Sequence, residues 1–169
     1  MIFLIASFIV FTFDIHNFKT HLKKFNIEYK TYFMDFKINL NSKKQRTIIV
    51  KHNQTTSFLW KGENVFSTPS MISEMEETCR LLLKEQFLKD DDWDSVGTLV
   101  NIKHLAATPV GAEITLDAEI IAIQERRVLF KVSAKDKIER IGEGEHERFI
   151  INISRFKERF FQKVKELND

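Results

Sequence analysis

From residue 96 onward, apolar and polar side chains alternate along the chain. Val96, Thr98, Val100, Ile102, His104 and Ala106 form one face; Ile114, Leu116, Ala118, Ile120 and Ala122 the next; Val128, Phe130, Val132 and Ala134 a third. A period of two is that of half-buried antiparallel strands. Pro109-Val110-Gly111 and Gln124-Glu125-Arg126-Arg127 separate these segments, and connections so short predict hairpins. A further strand is predicted from about Ile138 to Ile153, where Gly142 and Gly144 suggest a bulge or a ligand close to the backbone. Upstream, the β-branched run Gln45 to Lys51 predicts the first strand of the set. Between it and the others, Thr68-Pro69 reads as an N-cap followed by proline at the first helical position, with helix formers from Met71 to about Leu88. Ser154 is predicted to cap a short basic helix, Arg155 to Leu167. One long helix and a five-stranded antiparallel sheet wrapped around it make an α+β domain. The sheet has an edge to hide, and pairing with a second copy predicts a homodimer or a higher oligomer.

Residues 1–33 have a different pattern. They hold 7 of the 16 Phe and neither Gly nor Pro. The apolar run Ile2 to Phe13 rises only about 18 Å as a helix, short of a hydrocarbon core of about 30 Å. The features of a secretory signal, a basic region before the run and a small-residue cleavage site after it, are not visible. Phe11, Ile15, Phe18, Leu22, Phe25, Tyr29 and Tyr32 recur at steps of four and three, the pattern of an amphipathic helix suited to a membrane surface or a partner. The alternative is translated upstream sequence, with Met34 opening the native protein. The expected organisation is therefore a leader, 1–33, and one domain, 34–169.

Composition narrows the function. At 169 residues with 43% hydrophobic side chains, the chain is long enough for one real core. The net charge of +2 lies wholly in the leader, whose four Lys face two acids; the remaining 136 residues carry 22 basic and 22 acidic groups. Such a balance is too neutral for nucleic-acid binding. A single cysteine, Cys79, excludes an internal disulfide and fits a reducing, cytoplasmic setting.

On a helical wheel Met71, Ile72, Met75, Cys79, Leu82 and Leu83 cluster, and Glu76 stands at the edge of that apolar face. A carboxylate there is a candidate base or nucleophile; the alternative is a glutamate snorkelling at the helix boundary. His104 occupies the apolar strand face between Ile102 and Ala106, as a catalyst or as a satisfied core histidine. If the helix lies across the sheet, Glu76 and His104 can face each other, with the Thr68 hydroxyl at the positive end of the helix dipole. His146-Glu147-Arg148 is no metal site, because neighbouring strand residues alternate faces, and no metal is expected. Cys79 among apolar neighbours reads as inert filler.

Three motifs, in order, carry a resemblance. They are Val65-Phe66-Ser67-Thr68-Pro69-Ser70-Met71-Ile72-Ser73-Glu74-Met75-Glu76; then Ser95-Val96-Gly97-Thr98 running into His104-Leu105-Ala106-Ala107-Thr108-Pro109-Val110-Gly111; and Gly142-Glu143-Gly144-Glu145-His146-Glu147-Arg148-Phe149. Over about residues 38 to 165 the chain resembles the hotdog-fold thioesterases of the fluoroacetyl-CoA thioesterase-like family. The resemblance implies a hotdog dimer that hydrolyses an acyl-CoA at the subunit interface, with CoA entering as part of the substrate and no separate cofactor. It implies Thr68, Glu76 and His104 as catalytic residues, and Gly97, Phe66 and Arg148 as substrate-binding. Non-catalytic binding of acyl-CoA or an acyl carrier is the alternative on this fold. The fluoroacetyl-selective member uses an aromatic lid upstream of its threonine. Here Phe58-Leu59-Trp60-Lys61-Gly62-Glu63-Asn64 carries leucine or glycine where the gate would stand, which argues against fluoroacetyl selectivity.

Overall fold

The computed structural model describes residues 36–57, 62 and 64–169. The expectations for residues 1–33, and for most of the stretch Phe58 to Glu63, fall outside these described residues. Among the described residues, seven strands and two α-helices succeed one another: β1 (Lys43–Ile49), β2 (Thr55–Thr56), β3 (Val65–Phe66), α1 (Thr68–Gln86), β4 (Trp93–His104), β5 (Glu113–Gln124), β6 (Arg127–Lys135), β7 (Arg140–Asn152) and α2 (Ile153–Asn168). A single 3-10 turn, His52–Gln54, precedes β2. The predicted α+β domain is present: β1-β5-β6-β7-β4 form one antiparallel sheet, and β2 and β3 add a small ribbon that the periodicity did not predict.

Helix α1 begins one residue earlier than its sequence signal. Ser67 is the N-cap, its hydroxyl accepting from the Ser70 N–H, and Pro69 lies within the first turn. Thr68 is thus the first helical residue rather than the cap, and its hydroxyl is free for other work. The helix buries Met71, Met75, Thr78, Cys79, Leu82 and Leu83. These pack with the inward rows of the sheet, Ile114, Leu116, Ala118 and Ile120 on β5 and Val128, Phe130, Val132 and Ala134 on β6. Each large aliphatic side chain fully removed from water contributes roughly 1.5–3 kcal/mol, so this seam dominates the fold. Gly142 on β7 lies under the helix: a Cβ there would stand 2.6 Å from Met71 Sδ. That glycine makes room for a methionine, and the register slips beside it, Ala134 pairing with Gly142 and Lys135 with Arg140, which is the bulge that the glycines suggested.

Two sequence expectations change at β4. This strand pairs with β7, and β5 pairs with β1 and β6, so the segment between β4 and β5 is a crossover and not a hairpin. It runs past the helix start, with Phe66 N–H donating to the Thr108 carbonyl and Gly111 N–H to that of Val50. The turn at Glu125-Arg126 is a true two-residue hairpin, closed by the Gln124–Arg127 pair. Within β4, Gly97 opposes Arg148 but Leu99 opposes Glu147, which leaves Thr98 as the extra residue of a bulge. A bulge inverts the parity of the residues beyond it. Trp93 and Ser95 are buried before it, whereas Val100, Ile102 and His104 keep inward parity after it, opposite His146, Gly144 and Gly142. The predicted uniform face from Val96 to His104 is therefore split, with Val96 and Thr98 turned outward and Gly97 inward.

Strand β4 is a sheet edge, and Leu99 and Val100 on it are exposed. Helix α2 starts at Ile153 with Asn152 as its cap, not Ser154, and leaves Phe156, Phe160 and Phe161 exposed. No helix among the described residues is long and apolar enough to cross a membrane.

Candidate active site

The predicted residues gather in two clusters along α1. At the helix mouth, Thr68 Oγ1 lies 2.8 Å from His104 Nδ1. The crossover sets this contact: Leu105 N–H donates to the Ile141 carbonyl directly after His104, anchoring the strand end beside the first turn of α1. A cleft of about 660 Å³ opens there, and Val65, Phe66, Pro69, Leu105, Ala106 and Ala107 give it apolar walls around Thr68 and His104. His104 Nε2 is buried without a hydrogen-bond partner among the described residues. A hydroxyl bonded to an imidazole whose second nitrogen remains unengaged is the arrangement from which protons are moved.

The second cluster lies two turns along the helix. Glu76, its side chain 34% exposed, places Oε1 3.4 Å from Nε2 of the fully buried His146. His146 Nδ1 is 2.8 Å from the Leu99 carbonyl, so Nδ1 carries the hydrogen. Arg148 binds the cluster together: Nε donates to Ser95 Oγ at 2.8 Å, Nη2 to the Ser95 carbonyl at 2.6 Å, and Nη1 to the Glu76 carbonyl at 3.3 Å. The same Nη1 lies 3.3 Å from His146 Nε2. Gly97 faces the pair, and a Cβ there would come within 2.5 Å of Glu76 Oε1 and 3.0 Å of His146 Cε1. A polar cleft of about 420 Å³, lined by Ser73, Glu76, Arg80 and Arg148 among others, reaches this carboxylate from outside.

Burial holds the His146 imidazole below its ordinary value, with the nearby Glu76 carboxylate opposing the shift. Burial likewise acts against the Arg148 guanidinium, whose charge the Glu76 and Asp94 carboxylates support. Cys79 is pushed up to about 12 by burial, which leaves a thiol rather than a thiolate, as expected of inert filler. No group of three or more His, Cys, Asp or Glu side chains is arranged to hold a metal among the described residues.

Thr68 and His104 meet; Glu76 and His104 are joined by no hydrogen bond or ion pair among the described residues. Eight helical residues separate Thr68 from Glu76, about 12 Å along the axis. Glu76 faces His146 instead, so the pairing expected from the wheel and strand parity does not occur within one protomer. Phe66 lines the apolar cleft, and Gly97 and Arg148 flank Glu76. His146 and Ser95 are the residues that the sequence pattern did not single out. Their signal was present in β7, where His146, Arg148 and Ile150 at steps of two share one face and all are buried.

The family described as FlK, fluoroacetyl-CoA-specific thioesterase, matches residues 50–154. The fluoroacetyl-CoA thioesterase of Streptantibioticus cattleyicolor is 36% identical over 100 residues, covering 59% of this chain and 70% of that one. A solved structure of the fluoroacetyl-CoA thioesterase FlK superposes with a TM-score of 0.68 at 28% identity, covering 75% of this chain and 97% of that one. A hot-dog-like protein from Thermanaerovibrio acidaminovorans, 19% identical, has a TM-score of 0.68 over 77% of this chain and 97% of its own, and extends the likeness of fold.

Proposed function

Because this chain belongs to the fluoroacetyl-CoA-specific thioesterase family, we propose that it hydrolyses the thioester of a small acyl-CoA to the free acid and CoA. Thr68, Glu76 and His104 are its catalytic residues, and Phe66, Gly97 and Arg148 contact or shape the substrate site. The observation that carries this reading is the Thr68–His104 pair opening into an apolar cleft, on the same helix as a braced, solvent-reachable carboxylate.

Thioester hydrolysis needs an oxygen nucleophile at the carbonyl carbon, stabilisation of the oxyanion, and a proton for the leaving thiolate. Glu76 supplies the first, as base on water or by direct attack. The Thr68 hydroxyl and the positive end of α1 face the developing oxyanion, and His104 orients Thr68 or protonates the leaving thiolate. One protomer holds these groups in two places about 12 Å apart along the helix. A homodimer formed at the exposed β4 edge would bring one protomer's mouth beside its partner's carboxylate, which makes the dimer the working unit. The chain acts in the cytoplasm on acyl-CoA, with no cofactor beyond the CoA of its substrate and no nucleic acid. Expression of residues 34–169 tests the leader, 1–33: a soluble, active dimer makes it dispensable.

Release of CoA thiol from a panel of short, branched and aromatic acyl-CoAs tests the activity, with sedimentation for the dimer. Glu76→Gln is expected to lose about 10²–10⁴-fold in turnover with the dimer intact. Near-native turnover in that variant removes Glu76 from the chemistry, and acyl-CoA binding without thiol release from any substrate leaves a binding protein.

A further inference from the structure

Glu76 and His146 present two acceptors to each other. The Leu99 carbonyl can only accept, so the His146 hydrogen sits on Nδ1. Nε2 of the neutral ring is then a lone pair, and it lies 3.4 Å from a carboxylate oxygen that also offers lone pairs. A hydrogen bond between them exists only when a proton is added, and the carboxyl group is the partner open to solvent, through its own cleft. His146 is fully buried and reaches nothing outside. While Glu76 is ionised, Arg148 Nη1 is the donor 3.3 Å from Nε2, and that nitrogen also holds the Glu76 carbonyl.

We propose that His146 is a positioning residue for Glu76, its Nε2 accepting the hydrogen bond of the Glu76 carboxyl group whenever that group holds a proton. This rests on the assignment of Glu76 as the base in thioester hydrolysis. In that step a water O–H bond breaks, its oxygen bonds to the thioester carbonyl carbon, and its proton passes to Glu76. The neutral carboxyl turns its O–H to His146 Nε2, while Arg148 keeps Ser95 and the Glu76 carbonyl. When the carbon–sulfur bond breaks, the departing thiolate takes that proton and Glu76 is a carboxylate again. His146 thus fixes the rotamer of the protonated carboxyl group without touching substrate. Gly97 leaves the space in which the two side chains approach, since any Cβ there would press on both.

Two amides separate this role from mere support. In His146→Asn the side-chain nitrogen takes the place of Nδ1 and retains the Leu99 bond, but nothing reaches Glu76. In His146→Gln the amide oxygen takes the place of Nε2 and restores an acceptor there. His146→Asn is expected to lose about 10²-fold in kcat, as a misplaced catalytic group does, with KM within about threefold. His146→Gln is expected to return to within about tenfold of the wild type. Asn and Gln falling equally, a KM effect without a kcat effect, or near-native kcat in His146→Asn beside an inactive Glu76→Gln would each overturn the proposal while sparing Glu76. Near-native kcat in Glu76→Gln would instead overturn the assignment of Glu76 and this proposal with it. If the Asn variant does not fold, Gln decides alone: kcat within tenfold supports the acceptor role, and a loss of about 10²-fold or more in a folded protein refutes it.

Discussion

The mouth of α1 and its middle carry equally polar chemistry on different foundations. At the mouth, Thr68 is an exposed residue whose hydroxyl has one partner, His104, held by the crossover after β4. In the middle, Glu76 rests on a buried lattice of His146, Arg148 and Ser95 that ties α1 to β4 and β7. The first arrangement is attached to the fold; the second is part of what holds it. Loss of activity and loss of stability should therefore separate at the mouth and travel together in the middle.

Arg148→Met and Thr68→Val break this comparison most sharply. Removing the guanidinium leaves the Ser95 carbonyl and His146 Nε2 without their buried donor, at about 1–3 kcal/mol for each unsatisfied group. The unfolding free energy measured in urea should fall by that sum while turnover collapses. Thr68→Val removes an exposed hydroxyl and should shift stability by less than about 1 kcal/mol, yet cost about tenfold or more in turnover. Equal stability losses in the two variants would erase the distinction.

Gly97→Ala sharpens the comparison with a smaller change. Its Cβ would lie 2.5 Å from Glu76 Oε1, and the far end of that flexible side chain can yield. Overpacking of this kind costs about 1–3 kcal/mol, and the displaced carboxylate should lower kcat by about tenfold. An alanine variant as active as the wild type would show that Glu76 needs no fixed position opposite β4.

The same contrast explains what the sequence disclosed. The apolar stripe from Met71 to Leu83 and the alternation in β5 and β6 arise directly from burial, so most of the core was legible; an extra residue at Ile121 leaves Ala122 exposed and packs Ile123 against the core instead. Glu76 and His104 stood out for the same reason, as polar groups at apolar positions. Their true partners were not legible. One extra residue at Thr98 reverses the faces of β4, and only a register can reveal it. Strand order was equally hidden: a short segment ending Pro109-Val110-Gly111 suits a hairpin and a crossover alike. The crossover is what brings His104 to Thr68 and leaves Glu76 to His146.

The smallest expected effect is a pH dependence confined to the middle cluster. Unfolded, His146 titrates at its ordinary value of 6.5; in the fold, burial holds it lower. Above pH 6.5 both states are neutral at this site and it adds no slope. As pH falls below 6.5, the unfolded chain takes up a proton that the folded one resists, so stability declines through that window. Glu147 works in a separate, more acidic range: the Thr98 hydroxyl and then Arg127 hold it below its ordinary 4.5, so its contribution is lost only as pH falls beneath that value. Urea midpoints at several pH values between 7.5 and 5 should therefore decline in the wild type and decline less in His146→Asn. A wild-type midpoint that rises on acidification would mean that attraction to Glu76 outweighs burial, and that the middle of α1 holds an ion pair rather than a neutral imidazole awaiting a proton.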